Sequence, residues 1–180
     1  SACLYRAVAG RNARNAIPLH AVRAKDAKAW NQRTVFLKAS EFSAKEGELR
    51  LLPGRGGIAA AVLGLGKSED ALALAAFAEQ LPDGVDGLGE VPDFCGGAQA
   101  VLAWLLGLYA FDRYRKPKKR NLKLVLPDGV DGEEVSRIAA GVMLARDLIN
   151  TPANDMGPAE LAEAARQVAR AQGAKFRSIS

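Results

Sequence analysis

The feature that most constrains the fold is an uncharged apolar run, GIAAAVLGLG, at residues 57–66. The run is too short to cross a membrane as a helix, because a span needs about 18–20 apolar residues. Its length and lack of charge are typical of a strand that is covered on both faces. We therefore predict a strand inside a sheet that carries helices on both of its sides.

Shorter patterns predict the other strands and helices. Alternating or continuous apolar residues predict strands at 17–23, 34–37, 48–52 and 122–126. Apolar periodicity and helix-start residues predict helices at 26–32, 69–81, 96–111, 132–150 and 158–171. Residues 82–92, rich in Gly, Asp and Pro, are predicted to form a connection, and residues 174–180 the opening of a strand. This alternation predicts an α/β fold, a three-layer sandwich with a mixed, largely parallel sheet.

The composition is that of a globular domain. The 180 residues are 49% hydrophobic and 25% charged, which suits one core with a short appendage. The net charge of +5 permits attraction to phosphates but identifies no ligand. Cys3 and Cys95 lie outside any CxxC pair, and the first 14 residues lack the apolar segment of a signal peptide. We therefore expect a cytoplasmic protein with no disulfide framework and no membrane segment.

The segment GLGKS, Gly64 to Ser68, lies between a predicted strand and a predicted helix, where a phosphate-binding loop would stand. A Walker A loop needs a glycine five positions before Gly66, and the sequence has Ala61 there. A dinucleotide-binding loop needs its third glycine where the sequence has Glu69. We favour a tight turn from strand to helix, with phosphate binding as the alternative.

The segment RYRKPKKRNLK, Arg113 to Lys123, contains seven basic side chains and no acidic one. Such runs occur in nucleic-acid-binding segments and localisation signals. They are also typical of a solvated loop after a helix, because cations favour the negative end of the helix dipole. We favour the loop, since no aromatic stacking platform accompanies the run.

The candidate metal ligands are isolated in the sequence. His20 is the single histidine and has no neighbouring carboxylate or cysteine. Asp112, Asp147 and Asp155 have no partner at the spacing of a known metal motif. We interpret the three aspartates as residues of helix ends and loops.

The candidate nucleophiles are equally isolated. Ser68 and Ser136 do not lie in a GxSxG elbow, and either would need His20 as a base. Cys95 could be activated by a helix N-terminus, which lowers the pKa of a thiol. A buried structural cysteine is the favoured interpretation.

Three segments resemble a known family, and two of them are distinct motifs. Residues 145–158, ARDLINTPANDMGP, resemble the stretch by which leucyl (cytosol) aminopeptidases pass from a linking helix into their catalytic domain. Residues 107–114, GLYAFDRY, are similar to the GxYxFDRY pattern at a helix end in that family. Residues 62–66 resemble its strand and turn before a helix. The resemblance covers nearly the whole chain and is firmest beyond residue 57.

The resemblance implies a domain arrangement and a place for the chemistry. It implies an N-terminal α/β domain similar to macro domains at residues 1–131, a linking helix at 132–150, and the truncated beginning of a catalytic domain at 151–180. In that family the catalytic domain removes N-terminal amino acids from peptides with two divalent ions, Zn or Mn, held by a lysine, three aspartates and a glutamate. The family's NTDAEGR motif is absent from this sequence. We therefore assign no catalytic, cofactor-binding or metal-binding residue to this chain.

The expected function is a structural, assembly or regulatory role in such an aminopeptidase, without peptidase activity of its own. Its partners would be the catalytic domain of the same protein and the other copies in the family's usual homohexamer. One alternative is a macro-like module that binds a nucleotide or ADP-ribose through Gly64 to Ser68. Another is a DNA-binding domain that uses Arg113 to Lys123, since some family members bind DNA through their N-terminal domains.

Overall fold

The computed structural model describes residues 8–9, 16–114 and 120–179. Its strands are β1 (Val8–Ala9), β2 (Ile17–Arg23), β3 (Leu49–Gly54), β4 (Gly57–Gly66), β5 (Gly84–Leu88) and β6 (Leu122–Val125). Its helices are α1 (Ala27–Arg33), α2 (Val35–Ala39), α3 (Ala75–Gln80), α4 (Gly97–Gly107), α5 (Gly132–Asn150) and α6 (Pro158–Ala171). Short 3-10 turns at Ala24–Asp26 and Ala71–Leu74 precede α1 and α3. Of the helices in this described part, none combines the length and the apolar character needed to cross a membrane.

The six described strands form one sheet in the order β1-β6-β5-β2-β4-β3. Every neighbouring pair is parallel except β3 and β4, which are antiparallel. Strand β2 pairs with β4 on one side and with β5 on the other, so the strands that follow β2 in the chain lie on both sides of it. The predicted α/β fold with a mixed, largely parallel sheet is confirmed.

Both faces of the sheet are covered by helices, as the apolar run at 57–66 predicts. On one face Leu63 of β4 packs in the larger core, which includes buried residues of α3, α4 and α5. On the other face Val62 of β4 packs in a smaller core with Trp30 of α1 and Leu37 of α2. Because successive residues of a strand point to opposite faces, β4 contributes to both cores and carries no polar side chain.

The strand predicted at residues 34–37 is wrong, because this segment begins α2. Thr34 caps the helix: its hydroxyl oxygen accepts hydrogen bonds from the backbone N–H groups of Phe36 (3.1 Å) and Leu37 (3.4 Å). Val35 is 85% exposed, so a β-branched residue here does not mark a buried strand. A local cap overrides the β propensity of these side chains.

The connection predicted at residues 82–92 is also wrong, because it contains β5. This strand lies inside the sheet, where Asp86 is in register with Ile17 of β2 and Leu124 of β6. Pairing on both sides satisfies its backbone groups whatever its side chains, so glycine and aspartate do not prevent the strand.

Three smaller expectations also differ from the structure. The helix predicted at 69–81 begins instead as the 3-10 turn Ala71–Leu74, which Asp70 caps by accepting from Leu72 N–H (2.8 Å). Helix α4 ends at Gly107 rather than at residue 111, and the chain then turns so that Tyr109 can reach α5. Residues 174–179 form no strand, because no described strand lies beside them to pair with them. In contrast, α5 and α6 have the predicted limits.

The edge strand β3 ends the sheet on the side of β4. Pro53 has no backbone N–H to offer a further strand. The Arg50 guanidinium donates to the Leu49 carbonyl (3.1 Å) and also pairs with Glu48 (2.7 Å). These contacts occupy hydrogen-bonding groups along this edge.

Candidate functional site

The Gly64 to Ser68 segment is the end of β4 and the tight turn that follows it, and three of its amides are already engaged. Gly64 N–H donates to the Glu48 carbonyl (2.8 Å), Gly66 N–H to the Ala44 carbonyl (2.8 Å) and Ser68 N–H to the Leu65 carbonyl (3.0 Å). A phosphate-binding loop depends on free amides that point at the ligand. At these three positions the amides donate to backbone carbonyl groups of the protein and are not free to bind a phosphate.

The glycines of this turn serve the packing of residues 44–46. A Cβ atom at Gly64 would overlap the Lys45 carbonyl oxygen and come within 2.7 Å of the Ala44 Cα atom. Gly66 has φ 59°, a left-handed conformation that glycine adopts without strain. The G-x-G spacing therefore reflects close approach of two backbone segments.

Glu48 holds the neighbouring segment in place. Its carboxylate accepts hydrogen bonds from the backbone N–H groups of Ser43 and Lys45 (both 3.1 Å) and from the Ser43 hydroxyl (2.9 Å). Burial acts to raise the pKa of Glu48, but these hydrogen bonds and the Arg50 charge outweigh it and lower the pKa. The charged carboxylate thus stabilises the loop against which Gly64 packs.

In the basic segment, the structure describes Arg113, Tyr114, Arg120 and the residues that follow; residues 115–119 lie outside the described part. The Arg120 guanidinium donates to the carbonyl oxygens of Ala78 (2.6 Å), Glu79 (2.9 Å) and Leu81 at the end of α3. Cations favour this end of a helix, since its carbonyl groups lack partners. Arg120 therefore serves the fold, whereas Lys123 is exposed on β6.

We expect Arg120→Ala to lower the free energy of unfolding by about 1–3 kcal/mol, because three carbonyl groups lose a charged donor. Lys123→Ala is the matched control and should leave stability unchanged. Urea unfolding followed by circular dichroism checks both variants. Equal stability of the two variants would contradict a structural role for Arg120.

His20 and Cys95 are structural residues in this fold. The His20 Nδ1 atom accepts from Glu90 N–H (2.9 Å), which requires a neutral ring, and burial lowers the pKa of His20. Cys95 is 2% exposed, and burial raises the pKa of its thiol. The alternative that Cys95 is an activated thiolate is therefore wrong. Cys3 lies outside the described residues. Ser136 is buried in α5, and its hydroxyl has no hydrogen-bond partner in the described part of the chain.

The two motifs that carry the family resemblance touch each other. The Tyr109 hydroxyl donates to the Asp147 carboxylate (2.8 Å) and accepts from the Asn150 amide (3.0 Å). The Arg146 guanidinium donates to the Leu106 carbonyl (3.3 Å). Residues about 40 positions apart are thereby joined at the C-terminal ends of α4 and α5.

A second group of contacts extends this junction beyond α5. The Arg113 guanidinium donates to the Thr151 hydroxyl and to the Asp155 carbonyl (both 3.4 Å). The Tyr114 hydroxyl donates to the Asp155 carboxylate. Asp147 and Asp155 are thus residues of a helix end and a loop, as interpreted from the sequence, and they accept from tyrosines.

A cleft of about 480 Å³ lies beside this junction, between α5 and α6. Its apolar lining includes Phe111, Leu148 and Met156, and its acidic lining includes Asp112 and Glu163. Within the described residues, no group of three His, Cys, Asp or Glu side chains is placed to hold a metal ion. The junction can bind chain segments together, but it does not supply a metal centre.

Both motifs can be recognised in the sequence, but the contact between them cannot. Tyr109, Arg113 and Thr151 carry no chemical signature of their own, and only the turn after α4 brings them together. The signal that could have found them is the presence of two family-like segments in one short chain.

Comparison with known proteins identifies the family to which this fold belongs. Residues 17–127, from β2 to just beyond β6, match the model of the M17 aminopeptidase N-terminal domain. The chain belongs to the M17 aminopeptidase family. The resemblance drawn from the two motifs is thereby confirmed.

Individual M17-type relatives agree with this assignment. Human cytosol aminopeptidase is 38% identical over 102 residues, which are 54% of this chain and 20% of the human protein. The chloroplastic leucine aminopeptidase 2 of Arabidopsis thaliana is 30% identical over 156 residues, which are 72% of this chain and 27% of the plant protein. The chain therefore spans only about a quarter or less of these curated relatives.

Solved structures share the fold. The cytosol aminopeptidase of Coxiella burnetii superposes with a TM-score of 0.77 at 30% identity, over 92% of this chain and 38% of the Coxiella chain. The bottromycin maturation enzyme BotP, solved in complex with Mn, superposes with a TM-score of 0.63 at 25% identity, over 87% of this chain and 36% of BotP. The M17 chain described here thus corresponds to the smaller part of each solved protein.

Proposed function

We propose that this chain is the non-catalytic N-terminal part of a metal-dependent leucyl aminopeptidase, with a structural, assembly or regulatory role. The observation that carries the proposal is the match of residues 17–127 to an N-terminal domain of the family. The proposed boundaries are an α/β domain at residues 1–131, a linking helix at 132–150 and the beginning of the catalytic domain at 151–180. The limits of α5 and the start of α6 at Pro158 support them.

The exposed apolar side chains of α5 and α6 support a partner for this end of the molecule. Exposed apolar side chains mark an interaction site when they form a patch, and we propose such a patch for this end of the molecule. The side chains in question are Ile138, Leu144, Ile149, Leu161 and Val168. We propose that the catalytic domain of the same protein covers them. We also propose that the longer protein forms a homohexamer and is located in the cytoplasm.

The two divalent ions, Zn or Mn, belong to the proposed longer protein. Two-metal hydrolysis needs several converging ligands that hold both ions and activate a water. The described residues contain no such group, so the family's ions do not fit this part of the chain. We propose that residues of the catalytic domain hold them and supply the chemistry.

Nothing in the comparisons supports the nucleotide-binding or DNA-binding alternatives. The amides of Gly64, Gly66 and Ser68 are engaged within the fold, and Arg120 is bound to the end of α3. Substitution of Arg120 would therefore report on stability as well as on DNA binding.

We expect the purified 180-residue chain to release no leucine from leucyl amide, with or without added Mn²⁺ or Zn²⁺, because its described residues contain no converging set of metal ligands. The Coxiella cytosol aminopeptidase assayed in parallel is the positive control. Metal-stimulated release by the chain, abolished by a chelator and absent from a mock purification, would contradict the proposal.

A further inference from the structure

The end of α5 and the whole of α6 are held to the domain with little apolar burial. The buried residues of α5, Val135, Ser136 and Ala139, all lie in its first half, and α6 has none. Between Ala139 and residue 179, Thr151 is the one residue that is buried, at 7% exposure. The position of α6 therefore depends on contacts other than core packing.

Thr151 lies between α5 and α6 and is held from both sides. Its hydroxyl donates to the Asp147 carbonyl in the last turn of α5 (2.6 Å) and accepts from Arg113 (3.4 Å). The same guanidinium donates to the Asp155 carbonyl, three residues before α6 (3.4 Å). One arginine of the α/β domain thus contacts the chain on both sides of the break between the two helices.

These hydrogen bonds are better suited to fixing the orientation of α6 than to stabilising the whole chain. Hydrogen bonds require defined distances and angles, whereas apolar contacts tolerate sliding. A buried hydroxyl that loses its partner is costly, so Thr151 favours the one arrangement that satisfies it. The Tyr109–Asp147 and Tyr114–Asp155 hydrogen bonds flank this point and restrict rotation there.

We infer that Arg113 and Thr151 form a hinge clamp that fixes the direction of α6 relative to the sheet. The clamp consists of the Arg113 guanidinium, the Thr151 hydroxyl and the carbonyl groups of Asp147 and Asp155. The clamp would also orient the proposed catalytic domain, whose beginning includes α6, a consequence that rests on the proposed function. Arg113 and Thr151 are positioning residues, since they touch no reacting group.

Hydrogen exchange of the 180-residue chain tests the clamp through Thr151→Val and Arg113→Gln. We expect backbone amides of α6 and of residues 153–157 to exchange about tenfold faster than in the wild-type chain. The reason is that opening of this region no longer has to break the hydrogen bonds of the clamp. Amides of β2 and β4 should keep their wild-type rates. Arg55→Ala, in the exposed turn between β3 and β4, is the control and should change neither region.

A conservative variant separates orientation from simple loss of stability. Thr151→Ser retains the hydroxyl and should restore at least most of the wild-type protection in α6. Unchanged exchange of α6 in both Thr151→Val and Arg113→Gln would overturn the inference, and so would equal acceleration in the sheet and α6. Because the readout is exchange and not peptide hydrolysis, either result leaves the non-catalytic proposal to its own assay.

Discussion

Gly64→Ala is expected to lower the free energy of unfolding by about 3 kcal/mol or more, because the new methyl group has no space. Its Cβ would overlap the Lys45 carbonyl oxygen and crowd the Ala44 Cα atom, both of them backbone atoms. Backbone cannot move aside as the end of a flexible side chain can. Relief would require displacement of residues 44–46, which are also held by hydrogen bonds from Gly66 and to Glu48.

Two further glycine substitutions allow the loss of stability at Gly64 to be compared with that at other glycines. Gly66→Ala should have an intermediate effect, since its Cβ would lie 3.2 Å from Glu46 N and its φ is 59°. Gly141→Ala, in exposed α5 with no atom from outside that helix's backbone within 4 Å, should stabilise the chain by up to about 1 kcal/mol. Urea unfolding of all three variants checks the order. A Gly64→Ala midpoint equal to that of the wild type would rule out the packing explanation for this glycine.

Asp86→Asn is expected to stabilise the chain above pH 7 by up to about 3 kcal/mol. Asp86 is 1% exposed in β5, and its Oδ2 atom has no hydrogen-bond partner among the residues that the structure describes. Burial raises the pKa of this carboxyl from 3.8 to about 6. The magnitude follows from that difference at about 1.4 kcal/mol per pH unit, and asparagine imitates the neutral acid.

The sign of the pH dependence follows from proton binding. Between pH 3.8 and about 6 the folded chain holds a proton on Asp86 that the unfolded chain has released. This carboxyl therefore makes the folded state less stable as pH rises through that window, and its effect is constant above it. Glu48, whose pKa is lowered, acts in the opposite direction in both proteins, so the difference between them isolates Asp86.

Urea unfolding of the wild-type and Asp86→Asn chains from pH 4 to pH 8 measures this difference. It should be small at pH 4, grow through pH 6 and then level off. Asp128→Asn, in the exposed turn before α5, is the control and should follow the wild type. A difference that is the same at every pH would mean that Asp86 does not titrate in the folded chain as its burial requires.

Much of the fold can be predicted where local chemistry determines structure. Helix α5 begins after Asp131, whose carboxylate accepts from the N–H groups of Glu133 (2.9 Å) and Glu134 (3.1 Å). Helix α6 begins at Pro158, and Glu160 accepts from Gly157 N–H (3.0 Å). These signals are short-range and appear in the sequence as cap residues. The run at 57–66 also predicts its strand, in which residues 60–65 are buried although Gly57 and Ala59 are exposed.

The rest depends on contacts between distant residues. Strand β5 exists because β2 and β6 supply partners on both sides, and nothing within residues 84–88 reveals those partners. At the candidate site, each motif can be recognised separately, but Arg113 meets Thr151 only through the arrangement of α4 and α5. The sequence therefore identifies the participating segments without showing how they pair.

The occupied edge at β3 limits how copies of this chain can associate. Pro53 and the Arg50 contact with the Leu49 carbonyl make the outer side of β3 a poor template for an intermolecular strand. A continuous sheet running from one molecule into the next through this edge is thus disfavoured. Association of copies of this chain on that side would instead rely on side-chain surfaces, and we expect fibrillar growth through this edge to be disfavoured.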